Sequence, residues 1–357
     1  MKKRIIRIID RTLDSVSTDI GIDLGTANTL VYVKNKGIVI NEPTIVALNK
    51  KTGLLVAAGN EAKTMQGRTP SHIEVVRPLI DGVISDFEVT EELLAYLIAK
   101  VRAGTRAIVA PRVLIGVPSG ITNVEMRAAR DAAKNAGARD VFLIEEPVAA
   151  AIGAKLPVHK AQGSMIIDIG GGTTDIAVIS LNGIVTSKNL RTAGDRLNQD
   201  IISYIRDQFK VLVGERTAED TKIALASVKA ANDSKEVVVR GRDVVTGLPR
   251  EVVITDSDIK DAIAGSVNAI VESVRDVIES TPPEVLSDVM QRGLYVSGGG
   301  ALIPGVSELL SEILSIPVVI VPDPLRAVVR GTGLILENMD EYEELLIENE
   351  GELTPQF

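Results

Sequence analysis

Two rhythms of apolar residues alternate along the chain. Short runs of β-branched residues, such as Ile20–Ile22, Ile166-Ile167 and Val141–Ile144, read as buried strands. Between them, apolar positions recur every three to four residues, as expected for helices. Leu93, Leu94, Leu97, Ile98 and Val101 place a helix over Glu91–Val101 with Thr90 as its cap, and Asn123–Ala136 reads as another, ended by Gly137. Glu145-Glu146-Pro147 opens an alanine-rich helix closed by Gly153; proline suits the first turn, where its missing donor would have no partner. A long helix over Ser257–Ser280 carries Ile259, Ile263, Val267, Ile270, Val274 and Val277 on one stripe. A strand over Gly293–Val296 then runs into Ser297-Gly298-Gly299-Gly300 and a further helix. This alternation predicts α/β layers. Residues 34–79 and 197–259 break it with turn-rich sequence and read as smaller subdomains inserted into the two halves; residues 338–357 form an acidic tail.

The first residues differ from the rest. On a helix, Ile5, Ile6, Ile8, Ile9, Leu13 and Val16 share one face, and Lys3, Arg4, Arg7 and Arg11 the other. An isoleucine stripe opposite basic residues fits a helix lying on an anionic membrane surface, because apolar burial and charge attraction act together. Packing against its own domain or a partner is the alternative. No apolar run reaches the roughly 18–20 residues that span a bilayer. With 357 residues, 45% hydrophobic but 3% aromatic and no Trp, the interior must be built from Ala, Val, Ile and Leu. The net charge of -9 argues against nucleic acid as a partner, and the absence of cysteine excludes disulfides and thiolate metal sites and suits a cytoplasmic setting.

Two segments repeat one pattern 145 positions apart: Ile20-Gly-Ile-Asp23-Leu-Gly25-Thr26-Ala27-Asn28-Thr-Leu-Val, and Ile166-Ile-Asp168-Ile-Gly170-Gly171-Gly172-Thr173-Thr174-Asp-Ile-Ala-Val. Each reads as a strand ending in Asp, a glycine turn and a second strand. Two such hairpins facing each other would bracket one ligand, and glycines at the turns would let phosphate oxygens approach backbone N–H groups. A single Asp-x-Gly turn is weak evidence; the ordered set is not.

The order Asp23-Leu-Gly25-Thr26, Glu146-Pro147-Val-Ala-Ala-Ala151-Ile-Gly153, Asp168-Ile-Gly170-Gly-Gly172-Thr173-Thr174, then Ser297-Gly298-Gly299-Gly300 resembles the actin and Hsp70 ATPase superfamily. From residue 19 to about 340 the chain is similar to the MreB family of bacterial cell-shape filament proteins. That likeness is carried by Asp23–Val31, Gly37–Pro43, Arg77-Pro78 with Asp81–Ile84, Phe142–Pro147, Gly214–Glu219 and Pro282–Glu284.

The resemblance implies an actin-like fold: two duplicated RNase H-like α/β halves flanking a nucleotide cleft, each with a small inserted subdomain. The expected parts are an amphipathic helix at 1–18; subdomain IA at 19–46, 80–160 and 324–345; IB at 47–79; IIA at 161–196 and 260–323; IIB at 197–259; and a tail at 346–357. It implies ATP and Mg2+, the metal held through water by Asp23 and Asp168, as a strongly hydrated cation prefers carboxylates. Gly25, Thr26, Ala27 and Asn28 on one side, and Gly170, Gly171, Gly172 and Thr173 on the other, would cradle the phosphates. Glu146 would orient the attacking water with Thr174 assisting; alternatively Glu146 is a helix cap favoured by the dipole. Gly194 marks a hinge, Glu219 and Lys222 would meet ribose and base, and Gly298, Gly299, Gly300, Ala301 and Leu302 would form the other wall. Taken alone, Glu219 and Lys222 are an ordinary surface ion pair.

For assembly, the resemblance places Ile108 and Val109 in an apolar membrane loop and Ile121 and Val124 at a contact between paired protofilaments; core packing is the alternative for both. The implied activity is slow ATP hydrolysis controlling a homopolymer on the inner membrane face, guiding cell-wall synthesis together with membrane-embedded scaffold proteins. A sugar kinase of the same superfamily would need a further general base, and none is found beyond the carboxylates assigned to the metal.

Overall fold

The computed structural model describes residues 18–103, 109–229 and 235–347. The chain divides into two compact units, one of Met1–Ala161, Ile179–Ile184 and Arg326–Phe357, the other of Gln162–Val178 and Val185–Leu325.

In the first unit five strands lie in the order Asp140–Glu145, Arg112–Val117, Ile20–Leu24, Asn28–Val33, Gly37–Pro43. The first three are parallel and the last two continue as an antiparallel meander. Side chains alternate across a strand, so Ile20, Ile22 and Leu24 share a face with Val113, Ile115 and Val117. Helices Phe87–Ala103 and Asn123–Asn135 cover that face with Leu93, Leu94, Leu97, Ile98, Met126 and Ala129. Each fully buried Leu or Ile contributes about 1.5–3 kcal/mol.

The other face holds Gly21 and Gly116. A Cβ at Gly21 would stand 2.5 Å from Thr332 Oγ1, and one at Gly116 would stand 3.2 Å from Val328, so both glycines make room for helix Ala327–Glu337. That helix crosses helix Glu146–Gly153 backbone against backbone. A methyl group at Gly331 would run into the Ala149 carbonyl, and one at Gly153 into that of Ala327.

The helix expected over Glu91–Val101 starts earlier, at Phe87. Asp86 is its cap: its carboxylate accepts from Val89 N at 3.1 Å, whereas the Thr90 hydroxyl donates back to the Asp86 carbonyl at 2.7 Å. Helix Asn123–Asn135 opens with a capping box between Thr122 and Glu125. The turn-rich stretch after Pro43 contains a small sheet, in the order Leu55–Ala58, Val46–Asn49, Ile73–Val76, with helix Gly59–Met65.

The second main sheet runs Gly183–Leu190, Thr174–Ser180, Ser164–Ile169, Leu294–Ser297, Val318–Ile320. A smaller sheet of Val211–Leu212, Glu236–Asp243 and Pro249–Thr255 packs with helices Gly194–Tyr204 and Glu215–Leu225. The long helix, Asp256–Ser280, opens on a capping box of Thr255 and Asp258 and serves two cores. Ile259 and Ile263 belong to the smaller one, Ile270, Val274 and Val277 to that of the main sheet. No described helix is long and apolar enough to cross a membrane.

Candidate functional site

In the first unit the half-buried Asp23 lies near the carboxyl end of strand Ile20–Leu24. Register pairs Asp23 with Gly116, and Gly116 with Ile144, two residues before Glu146. A Cβ at Gly116 would stand 3.4 Å from Glu146 Cγ, so the Glu146 side chain lies over the bare glycine, one strand from Asp23. The two carboxylates thus gather at the carboxyl ends of parallel strands, where open α/β sheets bind ligands. Glu146 is buried in the first turn of its helix, in the field of the helix dipole; Glu145, also buried, ends the preceding strand.

The turn after Asp23 is braced from outside the hairpin. Thr44 donates its hydroxyl to Gly25 O at 2.5 Å and its N–H to Ala27 O at 3.0 Å, while Thr26 Oγ1 accepts from Gly82 N at 2.9 Å. Thr26 is therefore buried and holds the turn, and Ala27 and Asn28 stay exposed. A Cβ at Gly25 would stand 2.7 Å from Asn28 O, too close for any other residue without movement.

In the second unit Asp168 and Ser297 are register partners on neighbouring strands, and the Ser297 hydroxyl donates to the Asp168 carboxylate. Burial pushes the Asp168 carboxyl up from 3.8 to about 6, against the lowering effect of that hydrogen bond. The turn that follows closes with Gly170 N donating to Thr173 O at 2.9 Å. Its carbonyls at Gly170 and Gly171 accept from Gly194 N at 3.2 Å and Asp195 N at 2.7 Å, so the amino end of helix Gly194–Tyr204 is tied to the turn. Thr174 is fully buried and gives its hydroxyl proton to Thr192 O at 2.7 Å, leaving it acceptor lone pairs toward any water.

Lys222 bridges the Gly194 carbonyl at 3.0 Å and Glu219 Oε2 at 2.6 Å. With its side chain only 12% exposed, this is no ordinary surface pair. Asn198, which the sequence did not single out, donates Nδ2 to the same Glu219 oxygen at 2.7 Å. Two of the late glycines, Gly298 and Gly300, are also required by packing within their own unit. Gly298 has φ of +79°, and a Cβ there would run into the Ile169 backbone; one at Gly300 would run into the Ile169 side chain. Packing on Ile169 therefore requires them. Ala301 is buried and Leu302 exposed.

The remaining sites are placed separately. Ile121 belongs to the core of the first unit, the alternative the sequence left open, whereas Val124 is 78% exposed. Val109 is half-buried. Ile5, Ile6, Ile8, Ile9, Leu13 and Ile108 lie outside the described residues.

A mixed α/β architecture whose two five-stranded sheets each carry an Asp-led glycine turn fits the actin-like class of folds. Structure comparison agrees: the chain aligns with MreB5 of Spiroplasma citri bound to ADP at a TM-score of 0.86 and 38% identity, covering 92% of this chain and 98% of that one. The same protein bound to AMPPNP aligns equally well. The chain belongs to the MreB/Mbl family, whose family model, described as MreB/Mbl protein, matches residues 17–344. It is 49% identical over 323 residues to the cell shape-determining protein Mbl of Bacillus subtilis (strain 168), covering 90% of this chain and 97% of that protein. It is 48% identical over 330 residues to the cell shape-determining protein MreB of Escherichia coli (strain K12), covering 91% and 95%.

Proposed function

We propose that this protein is a nucleotide-gated cytoskeletal polymer that binds Mg·ATP, hydrolyses it slowly and determines cell shape. The observation that carries the reading is the repeated Asp-led glycine turn, with Glu146 over the strand next to that of the first Asp. The relatives named for cell shape and the ADP- and AMPPNP-bound structures of a family member support it.

In this reading both turns grip one nucleotide. Backbone amides of Gly25–Asn28 and Gly170–Thr173 hold phosphate oxygens, and Glu219 and Lys222 hold the nucleoside. Asp23 and Asp168 are the carboxylates that would hold Mg2+. Each carboxylate taken by itself suits that ion: both are hard oxygen ligands, and the raised proton affinity of buried Asp168 marks a carboxylate that a cation would stabilise. Bound there, Mg2+ would neutralise phosphate charge. Glu146 orients water for attack and accepts its proton, and Thr174 contributes an acceptor.

The polymer is proposed to assemble on the inner membrane face, with the helix of residues 1–18 as anchor and membrane-embedded scaffold proteins as partners in directing cell-wall synthesis. Sedimentation and electron microscopy with Mg·ATP on anionic vesicles test the whole reading, and the expected result is pelleted filaments. Monomeric protein under nucleotide saturation would refute the polymer, and phosphorylation of a small acceptor would replace it with a kinase.

A further inference from the structure

We infer that Asn198 is a positioning residue for nucleoside recognition: it holds Glu219 in the orientation that reads a ribose hydroxyl. The inference rests on the nucleotide reading above and adds a residue to it.

Three observations carry it. Asn198 is 4% exposed, one turn into helix Gly194–Tyr204, and its Nδ2 donates to Glu219 Oε2 at 2.7 Å. Lys222 reaches the same oxygen at 2.6 Å while also donating to Gly194 O. Two donors converging on one oxygen fix the rotation of the carboxylate. Asn198 belongs to the helix whose amino end is bonded to the Gly170-Gly171 turn, and Lys222, on helix Glu215–Leu225, is held to that amino end through Gly194 O. Glu219 is thereby tied in register to the phosphate-side turn of its own unit. Left to itself, a glutamate whose side chain is 42% exposed would sample several rotamers.

The third observation is that Asn198 Oδ1 is buried without a hydrogen-bond partner among the described residues. A sealed, unpaired carbonyl oxygen lowers stability, and an apolar side chain of the same branching would avoid it. The amide is explained by what its other end does. A buried polar group of this kind calls for an explanation, and the bond from its Nδ2 to Glu219 supplies one.

The test compares dissociation constants of Mg2+ complexes of ATP, 2′-deoxy-ATP and 3′-deoxy-ATP by calorimetry for the full chain, Asn198→Leu and Asn198→Ala. Wild type should prefer ATP over one deoxy analogue by about tenfold, as for a hydrogen bond to a charged group. In Asn198→Leu the ratio should fall to about twofold or less through loss of ATP affinity, while affinity for the deoxy analogue is kept. Its melting temperature without nucleotide should hold or rise. In a Glu219→Ala background the second substitution should leave the ratio unchanged, since the two act as one unit.

Asn198→Ala supplies the same ratio if leucine does not fit. A ratio preserved in the foldable Asn198 variants, or a wild type that binds ATP without ribose preference, overturns the inference and leaves the nucleotide site standing. A wild type that binds none of the three nucleotides overturns both.

Discussion

Asp168→Asn should stabilise the empty protein while weakening it as a nucleotide binder. The Asp168 carboxyl is raised from 3.8 to about 6 because burial disfavours its charge. A carboxyl whose folded value lies above its unfolded one contributes fully below about pH 3.8, and that contribution is lost as pH rises through about 6. A shift of roughly two units at 1.36 kcal/mol each amounts to about 3 kcal/mol of destabilisation near pH 7 in the absence of metal. Asparagine keeps the size and can still accept from Ser297, so it removes only the charge. Melting curves of both proteins in EDTA from about pH 4 to 8 should coincide at the acid end and diverge through about pH 6. The variant should finish roughly 4 °C higher, the entropy of unfolding growing with chain length. Mg·ATP should then raise the melting temperature of the wild type more than that of the variant. A gap that is constant across pH, or a variant that melts lower at pH 7, would show that the buried charge is not what separates them.

Glu146→Gln keeps the helix start and should slow ATP hydrolysis about 100-fold or more with ATP affinity retained, measured as phosphate release under saturating nucleotide; unchanged turnover removes its role. Gly331→Ala drives a methyl group into the Ala149 carbonyl and should lower stability by about 2–3 kcal/mol in urea unfolding; a neutral result would mean that the two helices separate easily. Removal of residues 1–16 should reduce flotation with anionic vesicles severalfold without changing nucleotide affinity, and undiminished flotation would end the anchor proposal.

Much of the fold was legible because its decisive residues are local. Asp23 and Asp168 each stand at a strand end beside glycines, and Pro147 marks a helix start by its missing donor. What escaped was long-range. Thr44 and Gly82 brace the first turn across 19 and 56 positions, Ser297 bonds Asp168 across 129, and Asn198 meets Glu219 across 21; no periodicity carries such pairs. Gly116 did leave a trace, a bare position inside the apolar strand Arg112–Val117, where glycine marks close approach of another group. The glycines at 298 and 300 were visible, but their packing contact was not, since only the fold brings Ile169 against them. The small sheet after Pro43 was hidden because its strands are four residues long and separated by turn signals.

The helix that seats Glu146 meets its crossing partner only at the far end of the chain: Gly331 follows Ala149 by 182 positions. During synthesis, at about 5–20 residues per second, roughly 10–35 s separate the appearance of the two. The second unit, whose residues run almost without interruption from Gln162 to Leu325, is complete on the ribosome before the first has its last helix. A nascent chain interrupted before Ala327 would carry that carboxylate on a helix with one side open to water.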